Sequence, residues 1–283
     1  MIACACLSAR TTACLALIGQ SLARDSLFHK CIASRKVFMA ACRLSEIDRT
    51  PPANRLLAAL PAAEFSRLAP SLEVVPLAIR DVLYNAGDPI AEVYFPGGGS
   101  VSIVTVLNNG DMVEAATIGR EGMVGLAALH ENGASPSGAI VQAETNTCYR
   151  LSAVAFRDEM NRREGFHDVI SRFSQAFVGF VMQSTACNAV HSVEQRLARW
   201  LLAAHDRVGR NDFPLTQEFV ATMLGVSRPT VSVVAATLQK AGMIAYHRGH
   251  LTVVNREKLE FASCECYRVT AELLKDVIRR SAA

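Results

Sequence analysis

LTQEFVATMLGVSRPTVSVVAATLQKAGMIAYHRGHLTVV, residues Leu215 to Val254, spells two helical stretches, a glycine between them and a short hairpin at the end. Thr216 is placed to cap a first helix whose Phe219, Val220, Met223 and Leu224 fall at helical spacing, and Gly225 supplies the tight turn that follows. Ser227 caps the second helix. There Val231, Val234, Ala235 and Leu238 recur three to four apart and are predicted to face the first helix, which leaves Arg228, Pro229, Ser232, Val233 and Ala236 outward. Pro229 does not break this helix, because it falls in the first turn, where the backbone N–H has no intrahelical partner. Gly242 fits a helix end. Met243 to Tyr246 and Leu251 to Val254 read as two strands joined at His247, Arg248, Gly249 and His250.

Two helices at a tight turn followed by a basic-tipped hairpin predict a winged helix-turn-helix. Its outward face has the chemistry of a DNA reader. Arg228 can make paired donor contacts to a guanine edge, and Ser227 and Thr230 at the helix N-terminus suit a phosphate oxygen. Ser232 on the same face, Thr216 at the start of the first helix and Arg248 at the wing tip complete the set expected from the residues themselves. A helical hairpin that only packs a core competes with this reading, but the capping serine, turn glycine and wing together count against it.

Composition sets wider limits. At 283 residues, with 51% hydrophobic and 19% charged content, the chain has room for roughly two folded domains. Its net charge of +3 gives no overall basic field. From Ser192 to Val254, however, seven basic residues stand against four acidic ones, a local excess that suits a small module working as a dimer. No apolar run reaches the roughly 20 residues of a membrane-spanning helix, so no membrane partner is expected. Arg10 followed by Ala13 to Ile18 faintly matches a signal peptide, but Gly19 and Gln20 cut it short. The expectation for residues 1–52 is extra sequence or a disordered arm, with translation starting near Met39, and for the whole protein a cytoplasmic location.

The nine cysteines, an odd and scattered number, argue against a disulfide framework. None has the C-x-x-C spacing of a structural zinc site. Cys264 and Cys266, in SCECY, are a pair that could ligate a metal or respond to oxidation. Small buried cysteines are the commoner explanation, so no metal site and no cofactor are expected.

From Glu73 to about Leu151 short apolar runs alternate with turn residues. Leu83 and Tyr84, Val93 to Phe95, Val101 to Leu107, Met112 to Ile118, Ile140 to Ala143 and Cys148 to Leu151 read as strands, with Asn109-Gly110 the strongest hairpin signal. Without long helices between them they predict an antiparallel roll that could enclose a pocket. Further on, Phe166, Ile170, Phe173, Phe177, Phe180, Ser184 and Cys187 alternate at spacings of four and three, the repeat of a coiled-coil seam, while Val178, Val181 and Met182 lie off it. A dimer of such helices is expected in preference to burial of the stripe against the chain's own roll. Ser192 is placed to cap the next helix, with Val193, Leu197, Trp200 and Leu201 as its apolar stripe.

The order roll, long helix, winged helix resembles the Crp/Fnr family of bacterial transcription regulators over nearly everything after residue 52. MLGVSRPTVS followed by LQKAGMI is similar to the family's recognition segment and the approach to its wing. The resemblance implies DNA contacts from Ser227, Arg228 and Thr230, with Gln217 joining from the preceding helix. Well-known members carry a glutamate after the arginine and a second arginine along the outward face, where this chain has Pro229 and Val233, so a different operator is expected.

The sensor half departs further. Members that bind cyclic nucleotides use a glycine-glutamate pair and, about ten residues on, an arginine beside serine or threonine, because a cyclic phosphate needs a cation and backbone donors. Here Gly122 and Gly125 keep the turn, but Leu126 stands at the glutamate and Pro136, beside Ser137, at the arginine. Cyclic AMP is therefore not expected as ligand. Gly122, Gly125, Ser137 and Arg120, the last as a substitute cation, are the candidate effector contacts. The N-terminal cysteines do not match the spacing of the iron-sulfur members, and His130 alone is no haem ligand set.

Two rivals stand beside this reading. A roll also resembles the cupins, metal-dependent enzymes, but this one supplies only His130. The other is a ligand-binding regulatory module whose helical tail contacts a protein partner. The chain shows no Walker loop, no G-x-S-x-G and no H-E-x-x-H, so no enzyme is expected. The expected architecture is α+β: an extension over 1–52, a cyclic-nucleotide-binding-like antiparallel jelly roll over 53–160, a dimerisation helix over 161–190, a winged helix-turn-helix over 191–262 and a helical tail over 263–283. Its expected partners are double-stranded DNA with a roughly palindromic operator, a second copy of the chain and RNA polymerase.

Overall fold

The roll is built from strands β1 (Glu73–Leu77), β2 (Val82–Tyr84), β3 (Glu92–Pro96), β4 (Ser100–Val106), β5 (Met112–Ile118), β6 (Gly138–Ala143) and β7 (Thr145–Ser152). The computed structural model describes residues 52–131 and 133–279, so the extension expected over 1–52 lies, Pro52 apart, outside the described residues. Among those residues the strands form two antiparallel sheets, ordered β1-β7-β3 and β2-β6-β4-β5. Val93, Phe95 and Leu151 from one sheet and Val101, Ala139 and Val141 from the other are almost fully buried, the alternation that lets two faces share a core.

The expected β4–β5 hairpin forms. Leu107 and Asp111 flank a three-residue loop, with the Leu107 amide donating to the Asp111 carbonyl at 2.8 Å and the Gly110 amide to the Leu107 carbonyl at 2.9 Å. Gly110 takes φ of 88°, which an L side chain resists. Strand β1 was not expected, and its sequence EVVPL explains why: Pro76 interrupts the alternation. The structure accommodates it on an edge strand, with the register shifting between Val75 and Leu77.

Two short helices, α1 (Arg55–Ala58) and α2 (Ala62–Leu68), precede the roll, and α3 (Ala153–Asn161) follows it. The side chain of buried Asn54 caps α1 and donates to the carbonyls of Pro96 at 2.9 Å and Gly122 at 2.8 Å. Helix α4 (Gly165–Val190) is the long helix. The Glu64 carboxylate receives its first amides, Gly165 at 3.1 Å and Phe166 at 2.8 Å, which fixes where it starts.

The seam expected on α4 is corrected. Phe166, Ile170, Phe173, Phe180, Ser184 and Cys187 are buried inside the chain and Phe177 is half-buried. Gly122 meets Phe173 closely, and the roll residue Ile118 lies at the same contact. The stripe marked a buried face, and its own roll and C-terminal helix cover it. The exposed stripe is the one that lay off the predicted seam: Val178, Met182, Thr185 and Ala189.

Helix α5 (Val193–Val208) begins with a reciprocal capping box between Ser192 and Gln195 and ends at Gly209 in the left-handed region. Strand β8 (Asp212–Pro214), helices α6 (Gln217–Leu224) and α7 (Arg228–Lys240) and strands β9 (Ile244–His247) and β10 (His250–Val253) complete the winged unit. The wing differs from expectation in two ways. Its sheet has a third strand, in the order β8-β10-β9, and its turn is Arg248-Gly249 alone, because His247 and His250 are already paired. Both turn residues have positive φ, 47° and 81°, the tight hairpin whose twist matches its strands. Helices α8 (Arg256–Ala262) and α9 (Cys266–Arg279) form the tail, and α9 runs along α4 with Leu273 over Gly179. No single described helix is long and apolar enough to cross a membrane.

Candidate nucleic-acid interface

Helices α6 and α7 meet at 108°, within the range of helix-turn-helix pairs. The turn is set by Gly225, with φ of 62°, and by the Val226 amide donating to the Ala221 carbonyl at 3.0 Å. Thr216 Oγ1 accepts the Phe219 amide at 3.2 Å, and Ser227 Oγ the Thr230 amide at 3.3 Å. Val231, Ala235 and Leu238 are buried against Val220, Met223 and Leu224, while Val234 and Phe219 pack at the margin. Pro229 sits in the first turn of α7.

The predicted contacts are brought together, but not all remain free. Arg228 is exposed over 66% of its side chain and approaches the Glu218 carboxylate at 3.8 Å. Ser232 donates to Gln217 Oε1 at 2.6 Å, so this pair clamps α7 to α6. Ser227 and Thr230 share a bond of 2.8 Å between hydroxyls. Arg248 stands exposed at the wing tip. The wing turn is drawn to the start of α6 by the Leu215 amide, which donates to the Gly249 carbonyl at 2.7 Å, and by the Tyr246 hydroxyl, which donates to the Leu215 carbonyl. Thr216, Gln217, Ser227, Arg228, Thr230, Ser232 and Arg248 thus lie on linked elements of one surface.

Sequence reasoning missed how this unit meets the roll. Gly225 lies against Val113 of β5, and Asp111, Met112 and Val113 share a cleft with Ser227 and Arg228. Behind it Trp200 Nε1 donates to Glu114 Oε1 at 2.9 Å, and Arg207 pairs with Glu121 at 2.8 Å while donating to the Thr117 carbonyl at 2.9 Å. Burial raises the Glu114 carboxyl above its usual range.

The four candidate effector residues separate into two groups. Gly122 packs on Phe173 and accepts from Asn54, and Arg120 opens into a groove with Arg55, Arg207 and Arg256. Gly125 and Ser137 belong elsewhere: Ser135 donates to the Ser137 carbonyl at 2.8 Å, and the half-buried Tyr84 phenol lies near Ser135 and Gly125. Burial pushes the Tyr84 phenol up to about 12. The Tyr84 phenol thus stands beside Gly125, one of the candidate effector contacts.

The tail holds an unexpected convergence. Cys187 and His191, one turn apart at the end of α4, meet Cys264 and Cys266, and their ligand atoms all lie within 4.8 Å of one another. The two tail cysteines are buried as expected, but they are not isolated.

Residues 74–163 match the cyclic nucleotide-binding domain family and residues 195–262 the Crp-like helix-turn-helix domain family. Solved structures agree on the fold. One described as a Crp/Fnr-family regulator from Eubacterium rectale gives a TM-score of 0.59 at 18% identity, covering 73% of this chain and 96% of that one. A CRP-family transcriptional regulator from Thermus thermophilus gives 0.55 at 22% identity, covering 66% and 95%. FixK2 from Bradyrhizobium japonicum gives 0.54 at 16%, covering 68% and 98%. No curated protein sequence matches the chain significantly. Roll and winged unit together define a transcription regulator and not an enzyme. The chain belongs to the Crp/Fnr family.

Proposed function

We propose that the protein is a homodimeric, sequence-specific regulator that places two copies of α7 in successive major grooves, about 34 Å apart, on a roughly palindromic site. The observation that carries this reading is the exposed N-terminal turn of α7, where Arg228 projects beside two hydroxyls and the helix N-terminus. Arg228 reads a guanine; Ser227, Thr230 and Thr216 take phosphates; Arg248 reaches the flanking backbone from the wing. Gln217 and Ser232 hold the two helices in register as well as facing the groove.

Pairing runs through the exposed face of α4. Val178 and Met182 leave 52% and 67% of their surface exposed on a helix whose other face is buried. With Thr185 and Ala189 they keep the spacing of a two-helix seam. The domain boundaries follow the same division: sensor over 53–160, pairing helix over 161–190, DNA-binding unit over 191–262, and tail from 263. Work on DNA places the protein in the cytoplasm, where RNA polymerase is available as a partner.

The effector is a ligand other than cyclic AMP. Pro136 leaves a cyclic phosphate without its cation, Leu126 removes the glutamate that accompanies it in nucleotide-binding members, and the Tyr84 phenol stands beside Gly125 and Ser135. The test is selection of bound sequences from random DNA, with and without cell extract. A symmetric site with guanine in each half supports this reading, and selection of no sequence under either condition overturns it.

A further inference from the structure

Cys187 lies in the last turn of α4 and His191, four residues on, is its C-cap, with the His191 amide donating back to the Cys187 carbonyl, so the two residues sit one above the other at the helix end. Cys264 arrives from the loop between α8 and α9, and Cys266 from the first position of α9. Cys187 Sγ is 3.5 Å from Cys264 Sγ, and Cys266 Sγ is 3.6 Å from His191 Nδ1. A tetrahedral zinc with bonds of about 2.3 Å to sulfur and 2.0 Å to nitrogen separates its ligand atoms by about 3.5 to 3.8 Å. A cluster of irons, whose ligands each reach a different metal, asks for a wider cage.

The surroundings match the same chemistry. Glu265 Oε2 lies 3.3 Å from His191 Nε2, the arrangement in which a carboxylate fixes a histidine's tautomer and presents its other nitrogen to a metal. Gln183 Nε2 donates to Cys266 Sγ at 3.0 Å, as amides do to bound thiolates. Three thiolates, a neutral imidazole and a divalent ion sum to one negative charge. Arg196 and Arg199 are buried close enough to Cys187 to feel its charge, and the Nε of each has no hydrogen-bond partner.

We propose that Cys187, His191, Cys264 and Cys266 bind a single zinc-type divalent ion that ties the end of α4 to the C-terminal tail. Binding releases the thiol protons of the three cysteines to solvent and changes no oxidation state. The ion sits immediately before Ser192, the cap of α5, so it fixes the joint between the long helix and the DNA-binding unit. This site goes beyond the DNA-binding reading, and its metal content is measured without DNA.

The test uses the full chain, purified without added oxidant or chelator. Metal analysis is expected to find one zinc per chain, and X-ray absorption three sulfurs and one nitrogen around it. Cobalt added to chain stripped of metal is expected to give thiolate charge-transfer and tetrahedral bands, so a wild-type readout stands even where Cys264→Ser fails to fold. His191→Ala and Cys264→Ser are expected to weaken metal binding at least tenfold, whereas replacing Cys4, Cys6, Cys14, Cys31 and Cys42 together with serine leaves the stoichiometry at one. Absence of metal, iron accompanied by inorganic sulfide, loss of metal with the N-terminal cysteines, or a Cys187–Cys264 disulfide in the purified chain would each overturn the assignment.

Discussion

Trp200, in the first helix of the DNA-binding unit, donates its indole N–H to the Glu114 carboxylate of the roll at 2.9 Å, and Ser102 donates to the other carboxylate oxygen at 2.6 Å. Trp200 is the sole tryptophan of the chain. A half-buried carboxyl thus links the two halves of the molecule, and the residue that reports on it optically is already in place.

Burial raises the Glu114 carboxyl above its ordinary value of 4.5. Between that value and the raised one the folded chain holds this proton more tightly than the unfolded chain, so stability falls as pH rises through the window. Glu114→Gln is expected to flatten that slope in denaturation curves measured at several pH values, and to shift the tryptophan emission. An unchanged slope would remove Glu114 as its source.

Arg228 is solvent-exposed and its one ion pair, at 3.8 Å, is long. Arg228→Ala should leave the melting temperature within a degree or so while costing about 1–3 kcal/mol per half-site in DNA binding. Band-shift titration at fixed salt reads the loss, and equal weakening on all sequences would mean that Arg228 contacts phosphate instead.

Gly225 carries φ of 62°, and a Cβ there meets Val113 at 3.1 Å. Gly225→Ala should destabilise the chain by about 1–2 kcal/mol, since the left-handed turn and the contact with the roll both suffer. Urea denaturation measures this, and the double substitution with Val113→Ala should recover part of the loss.

Met182 is largely exposed on α4. Met182→Glu is expected to leave the fold intact and shift sedimentation from dimer to monomer, with a parallel drop in operator affinity. A dimer that persists would move the pairing surface off this face.

Cyclic AMP should give no heat of binding in calorimetry at concentrations where a nucleotide-responsive member saturates. Restoring the cation with Pro136→Arg, together with Leu126→Glu, is expected to remain insufficient while the Tyr84 phenol stands beside Gly125, and to succeed only with Tyr84→Ala added.

The helix-turn-helix was legible because its information is local. Thr216, Gly225 and Ser227 specify caps and a turn through their own backbones, and Val231, Ala235 and Leu238 specify a face through spacing alone. The strands β2 to β7 were legible for the same reason, with Gly110 marking the hairpin. Edge strand β1, interrupted by Pro76, and the three-residue strand β8 carry too little pattern to stand out.

The sequence by itself determined the recognition unit, the roll and their order, since each rests on periodicities and turn residues within a dozen positions. Tertiary structure decided the rest. A helical stripe such as Phe166 to Cys187 states that a face is buried but not what buries it, and here the chain covers its own stripe. Likewise, nothing local announces that Cys187 and His191 meet Cys264 and Cys266, because some 75 residues intervene and only the packing of α9 along α4 closes that distance.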